Sequence, residues 1–314
     1  MISVVLLFTL SLALLIASAR FFTKAAEKIG IFLGMHPLVI GIFIVGIGTS
    51  LPELVSGIVS VQDGLSEVVA GNIFGANISN ILLITGTVAL VHHKDIILSS
   101  KYIFIDLHYL IGSVFAVGLF AFDGVIEWKE SILGLLIFLA YSMYLLKNET
   151  SSREQRQIKL RTKMGLPWLQ AVILILGGLG IYLGADYTIQ YLSEIAVYLQ
   201  VPPSIVALTV LSLGTTLPEL VVNVSAIRQG KAEMAIGNIL GSSVFNSIMV
   251  PSIASFFGPI HVPDSMLHLA FPVLLASALF FYLITHDKRI SRWEGMLFVL
   301  LYILFLLKVV EQHV

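Results

Sequence analysis

The amino-acid sequence predicts an all-α membrane protein of ten transmembrane helices, arranged as two inverted five-helix repeats. Three observations lead there. The chain is 57% hydrophobic and 12% charged, with mean hydropathy +0.97, and a water-soluble domain of 314 residues would need far more polar surface. Ten apolar stretches are each long enough to cross about 30 Å of hydrocarbon at about 1.5 Å per residue. A 33-residue element also occurs twice, 166 residues apart.

The apolar stretches run over 2–19, 38–61, 68–91, 102–122, 131–146, 168–185, 203–227, 232–257, 267–284 and 293–310. Five precede the polar stretch 148–165 and five follow it, giving a first repeat (1–147), a basic linker (148–165) and a second repeat (166–314). An odd number of spans per repeat turns the second repeat upside down relative to the first. The first stretch has no basic run ahead of it and leads into another apolar segment, so it is read as a retained helix and not as a signal peptide.

Basic residues orient the spans. With the N-terminus outside, the inner connections hold Arg20, Lys24 and Lys28; Lys94 and Lys101; Lys147, Arg153, Arg156, Lys159, Arg161 and Lys163; Arg228 and Lys231; and Lys288, Arg289 and Arg292, which is 16 of the 18 basic residues. The expectation is a multi-pass protein of the plasma (inner) membrane, with both termini extracellular or periplasmic and the linker cytoplasmic. The linker reads as a solvated segment beside anionic headgroups and not as a nucleic-acid site. The absence of cysteine excludes disulfides, thiolate metal sites and thiol catalysis.

The duplicated element carries the chemistry. Gly48-Thr49-Ser50-Leu51-Pro52-Glu53 returns as Gly214-Thr215-Thr216-Leu217-Pro218-Glu219, and residues 48–80 match 214–246 at 14 of 33 positions without a gap. Glu53 and Glu219 fall near the middle of their spans, where a charge costs about 2.5–3.5 kcal/mol on insertion scales, so each needs water or a partner. Pro52 and Pro218 cannot donate a helical hydrogen bond, and their rings press on the carbonyls of Gly48 and Gly214. The expectation is an interrupted helix beside each carboxylate, with carbonyls freed near Thr49 and Thr215.

The following span of each half adds amides and hydroxyls. Asn72, Ala76 and Asn80 share one helix face, and Asn238, Ser242 and Asn246 share its counterpart. Gly71, Gly75, Gly237 and Gly241 allow close helix approach, which ordinary membrane packing also uses. Asn72 and Asn238 serve equally well to satisfy the carbonyls of a broken helix. Carboxylates, amide oxygens, hydroxyls and backbone carbonyls together suit a hard cation: calcium takes six to eight oxygens, and two carboxylates neutralise it. Zinc or copper would ask for His or Cys, and no histidine lies on these faces. His108 and Asp106, one turn into the fourth stretch, are read as snorkelling towards the cytoplasmic interface.

These paired motifs, GTS/TT-LPE followed by GN-x-x-G and a further Asn, resemble the calcium/cation antiporter superfamily, specifically its sodium/calcium exchanger branch. The resemblance spans the whole ten-helix plan. It implies a secondary active antiporter that exchanges calcium for sodium by alternating access, with the first and sixth helices sliding over a rigid core. It implies that Glu53 and Glu219 serve both ions, that backbone oxygens of Thr49 and Thr215 help bind calcium, and that Asn80 and Asn246 border the central site. Gly46 and Ser212 would offer backbone oxygens to flanking sodium sites, and Thr216 with Ser242 would line the external one; Ser50 is the first-half counterpart of Thr216 and joins the candidate set. Ala76 stands where the family often has a Ser whose hydroxyl serves the inner sodium site.

The expected partners are calcium, sodium or protons, and the lipid bilayer, with no cofactor beyond the transported ions, no nucleic acid and no obligatory protein partner. A proton-coupled calcium antiporter is the alternative, since protons also neutralise two close carboxylates. A cation channel is a third reading, less suited to a single chain with its own pseudo-twofold site. No nucleophile and base pair is evident, so no enzyme is expected.

Overall fold

The computed structural model describes residues 2–64, 66–92, 95–98, 103–147, 168–198, 203–264 and 266–313. They form helices α1 (Ile2–Leu33), α2 (Pro37–Gln62), α3 (66–91), α4 (Ile103–Phe120), α5 (Trp128–Lys147), α6 (Trp168–Tyr198), α7 (Pro203–Arg228), α8 (Ala232–Phe257), α9 (Met266–Thr285) and α10 (Arg292–His313). Among the described residues seven of these, α1, α2, α3, α5, α6, α8 and α9, are long and apolar enough to cross a membrane, and α4 contains a shorter apolar helix, Ile105–Phe120. α7 carries the Thr-Thr-Leu-Pro-Glu motif within its apolar run, and α10 has Arg292 and Glu294 in its first turn and Lys308 near its end. The proposed linker 148–165 lies outside the described residues.

Two helices exceed their apolar stretches. α1 and α6 have 32 and 31 residues, roughly 47 Å at 1.5 Å per residue, where the sequence predicted ends at 19 and 185. The reason is amphipathic continuation: in α1, Phe22, Ala25 and Ala26 stay buried while Arg20, Lys24 and Lys28 repeat every four residues on the exposed side. α1 stops at Gly34, which adopts φ 83°. There the amides of Gly34 and Met35 bond back to Ile31 and Gly30 at 3.2 and 2.8 Å, a Schellman cap. α7 ends the same way at Gly230, φ 75°, with Lys231 bonding back to Ala226 at 3.0 Å.

Neither motif proline interrupts its helix. Helical backbone runs through Pro52 and through Pro218, which corrects the expected break. The irregularity in α2 comes before the motif, as a π-helical stretch over Ile40–Gly46. α3 and α8 each contain another, Ser79–Ile84 and Phe245–Met249, both starting one residue before the candidate asparagine. Asp106 differs too: it is fully buried and accepts a hydrogen bond from the Tyr141 hydroxyl on α5 at 3.3 Å, so burial against α5 replaces snorkelling.

Two short antiparallel strand pairs link the halves. β1 (Ile96–Ile97), before α4, pairs with β4 (Arg289–Ile290), before α10; β2 (Val125–Ile126), before α5, pairs with β3 (Ile260–His261), before α9. The main buried cluster draws on α2–α5 and α7–α10. A second cluster joins Leu15, Ala19, Phe22 and Ala26 of α1 and Ile181 of α6 to Ile40 and Val45 of α2, Val222 of α7 and Met234 of α8. α1 and α6 also pack on each other closely: a Cβ at Gly184 would lie 2.8 Å from Leu15 backbone, and Thr188 donates to the Ser11 hydroxyl at 3.1 Å. This pair lies against the core as a separate layer.

Candidate cation site

The crossing of α2 and α8 is built on glycine. A Cβ at Gly237 would collide with the Leu38 carbonyl oxygen and one at Gly41 with that of Met234, while one at Gly241 would sit 2.5 Å from that of Ile42. Backbones this close leave side chains beyond the crossing facing each other. The Ser242 hydroxyl lies 3.3 Å from both the Gly46 carbonyl and Asn238 Oδ1, either of which can accept its one hydrogen, and Thr49 Oγ1 lies 3.4 Å from both Asn238 Oδ1 and Ser242 Oγ. Thr49 also reaches back to the Gly46 carbonyl at 3.3 Å. Gly46, Thr49, Asn238 and Ser242 therefore form one oxygen-rich cluster between the helices.

The carboxylates come next along α2 and α7. Glu53 and Glu219 are 3% and 1% exposed and lie within electrostatic range of one another. Hydroxyls of the first half turn to the carboxylate of the second: Ser50 Oγ lies 3.5 Å from Glu219 Oε1, and Thr49 also reaches Glu219. Among the described residues, no donor from another residue meets Glu53 Oε1, Glu53 Oε2 or Glu219 Oε2. The side-chain amides of Asn80 and Asn246, buried at the π segments of α3 and α8, are likewise unbonded at both oxygen and nitrogen among the described residues. A π turn displaces the helical ladder locally and is common at functional sites.

Such a set has three carboxylate oxygens and two amide oxygens without donors, all out of contact with water. Left bare, buried anions of this kind are strongly destabilising. A hard cation is the partner that these carboxylate and amide oxygens suit. Beside it a small cavity is lined by Gly48, Thr49, Pro52 and Pro218 from α2 and α7, and by Phe22, Gly178, Ile181 and Tyr182 from α1 and α6. The α1–α6 pair thus walls one side of the candidate site.

Of the residues singled out from sequence, the structure brings together Gly46, Thr49, Ser50, Glu53, Glu219 and Ser242. Asn80 and Asn246 are buried on α3 and α8, and Thr216 is buried on α7. Ser242 meets Gly46 and Thr49, a grouping the expected pairing with Thr216 did not include. Thr215 and Ser212 lie on α7 at positions whose side chains fall outside the described residues. Asn72 is half-buried, whereas its counterpart Asn238 is buried within the hydroxyl cluster.

Sequence reasoning missed Asn77, Ser243 and Asn223. Asn77 Nδ2 donates to Ser247 Oγ at 2.9 Å, tying α3 to α8 one turn from Asn80. Asn77 Oδ1 and Ser243 Oγ are buried without partners among the described residues. The signal was present, because 77 and 243 are equivalent polar positions in the duplicated element.

A family model described as sodium/calcium exchanger protein matches residues 3–147 and 169–310. The sodium/calcium exchanger MaX1 of Methanosarcina acetivorans is 29% identical, over 96% of this chain and 97% of its own length. The inner membrane protein YrbG of Escherichia coli is 28% identical, over 88% of this chain and 87% of its own. Among solved structures, the sodium-calcium exchanger NCX_Mj soaked with zero sodium and calcium superposes with a TM-score of 0.84 at 26% identity, covering 98% of this chain and 99% of that one. The exchangers among these relatives are transporters and not enzymes. Because the family match takes in both halves and the likeness in fold runs end to end, the chain belongs to the sodium/calcium exchanger family and is a multi-pass membrane cation/calcium antiporter.

Proposed function

We propose that this antiporter exchanges calcium for sodium by alternating access, with both ions competing for Glu53 and Glu219. The observation that carries the reading is the pair of buried carboxylates whose free oxygens meet no donor among the described residues. One calcium neutralises both, and so do sodium ions, but the two loads exclude each other. Only a neutralised site crosses the apolar barrier during switching. The names of MaX1 and NCX_Mj, both sodium/calcium exchangers, support the ion pair. The separate α1–α6 layer beside the site supports a moving pair against a rigid core.

The ten-span inverted plan is part of this reading. The strand pairs support it: β1 precedes the fourth span of its half, whereas β4 precedes the fifth span of the other. Two such connections lie on the same membrane face only if the halves are inverted; the β2–β3 pair repeats the argument at the opposite face. The basic residues then orient the protein in the plasma membrane with its termini outside and its linker inside. In this orientation α2 and α8 both start from the cytoplasm, so Gly46, Thr49 and Ser242 flank the glutamates on the inner side. Ala76, Ser212 and Thr215 flank them on the outer side. That reverses the sodium subsites expected for Ser242 and Ala76, and the missing hydroxyl falls on the outer one.

Proton coupling is the competing reading, and ion flux separates the two. In reconstituted vesicles, an imposed sodium gradient is expected to drive calcium uptake at constant pH. Calcium uptake that ignores sodium and follows a pH gradient would overturn sodium coupling.

A further inference from the structure

Asn223 lies one helical turn beyond Glu219 on α7, towards the end at Arg228. Its Nδ2 donates to the Glu219 carbonyl at 2.8 Å, which fixes the amide and turns Oδ1 away from that carbonyl. The side chain is 1% exposed, and Oδ1 has no hydrogen-bond partner among the described residues. The helix does not require this amide, because the Glu219 carbonyl is already placed to accept the backbone N–H of residue 223. An unsatisfied buried amide oxygen is destabilising, so a position without use for it would be expected to carry an apolar or small residue. The equivalent position in the first half does: it is Gly57, where an added Cβ would already meet Val250 Cγ1 at 3.3 Å, Val69 Cγ1 at 3.6 Å and Ala254 Cβ at 3.8 Å. Apolar neighbours fill that place, and the amide has no symmetric counterpart.

We propose that Asn223 Oδ1 is a further ligand of the transported cation, contacted between Glu219 and the membrane face at which α7 ends. The proposal rests on the shared-cation reading of the glutamates. An amide oxygen is an ordinary ligand for calcium, and being neutral it binds the ion in passage without trapping it as a third carboxylate would. Its position on α7 gives the path from the glutamates an oxygen on the Arg228 side that the first half does not supply through Gly57. The two faces of the exchanger therefore differ in how they meet the ion.

The test is calcium flux in reconstituted vesicles, with calcium presented separately at each face, for the unaltered protein, Asn223→Ala, Asn223→Ser and Asn223→Asp. Asn223→Ala is expected to raise the half-saturating calcium concentration roughly five- to tenfold at the face where α7 ends, with less than about a twofold change at the other. Asn223→Ser, with a shorter oxygen, is expected to fall between. Asn223→Asp, close in shape but charged, is expected to lower that concentration at the same face and to slow turnover, and Asn223→Ser keeps the test open if the alanine or aspartate variant fails to fold. Equal changes at both faces would show that Asn223 acts only by holding α7, and unchanged values in Ala and Asp variants would show no role; either overturns the proposal. Flux that survives Glu53→Gln and Glu219→Gln would instead remove the reading on which it rests, so the two failures are distinguishable.

Discussion

Ala76 and Ser242 are equivalent residues that differ by one hydroxyl. Ser242 lies within hydrogen-bond reach of Gly46 and Asn238, while Ala76, only 2% exposed, has no oxygen to offer. If sodium sites flank the shared glutamates as proposed, restoring the hydroxyl by Ala76→Ser is expected to lower the sodium concentration for half-maximal exchange about threefold, with a smaller effect on calcium. Burying a hydroxyl that found no partner would instead cost about 1–3 kcal/mol, and no gain in sodium affinity together with lower stability would contradict the subsite. Sodium titrations of flux at fixed calcium read the difference. The glutamates themselves could be found in the sequence because a carboxylate in the middle of an apolar span is costly to keep, and this one is kept twice at the same offset. The partners of Ser242 could not, because which face of α2 meets α8 depends on a crossing that helical period alone does not specify.

At the level of elements, helix lengths and π segments were the main departures. An apolar window ends at the first cluster of charges, so it stopped α1 near Arg20, although the buried stripe continues to the cap at Gly34. The prolines of the motif suggested a break that the helices accommodate, while the π segments of α3 and α8 have no distinctive residue to announce them. The glycine pattern was visible but undirected until the α2–α8 crossing gave it contacts. Gly241→Ala forces Cβ against the Ile42 carbonyl and is expected to destabilise the protein by about 1–3 kcal/mol. The equivalent Gly75→Ala, where no described atom lies within 4 Å of the added Cβ, is expected to cost under about 1 kcal/mol. Thermal unfolding of the two purified variants makes the comparison; equal losses would show that the crossing is not the tight contact described.

For the whole molecule, composition conveyed the all-α membrane class, because that follows from hydropathy, while duplication and span count are what the proposal of two inverted halves rests on. How the halves interlock did not follow. The strand pairs join sequence-distant segments of two residues each, too short for any periodicity. Inversion is directly testable because the chain has no cysteine. Asp123 and Asp287 occupy corresponding turns before β2 and β4, and both are exposed. A membrane-impermeant thiol reagent added outside intact cells is expected to label Asp123→Cys, and to label Asp287→Cys only after permeabilisation. Labelling of both from one face would contradict inverted halves.

The central claim is that one pair of carboxylates serves both ions, and equilibrium calcium binding to the purified protein tests it most directly. The account predicts that the apparent dissociation constant for calcium rises steadily with added sodium at constant ionic strength, and that Glu53→Gln or Glu219→Gln reduces calcium binding by at least about a hundredfold while the protein stays folded, since each removes half the charge facing a divalent ion. Calcium binding that is indifferent to sodium, or that persists at near-normal affinity in the double glutamine variant, would contradict it.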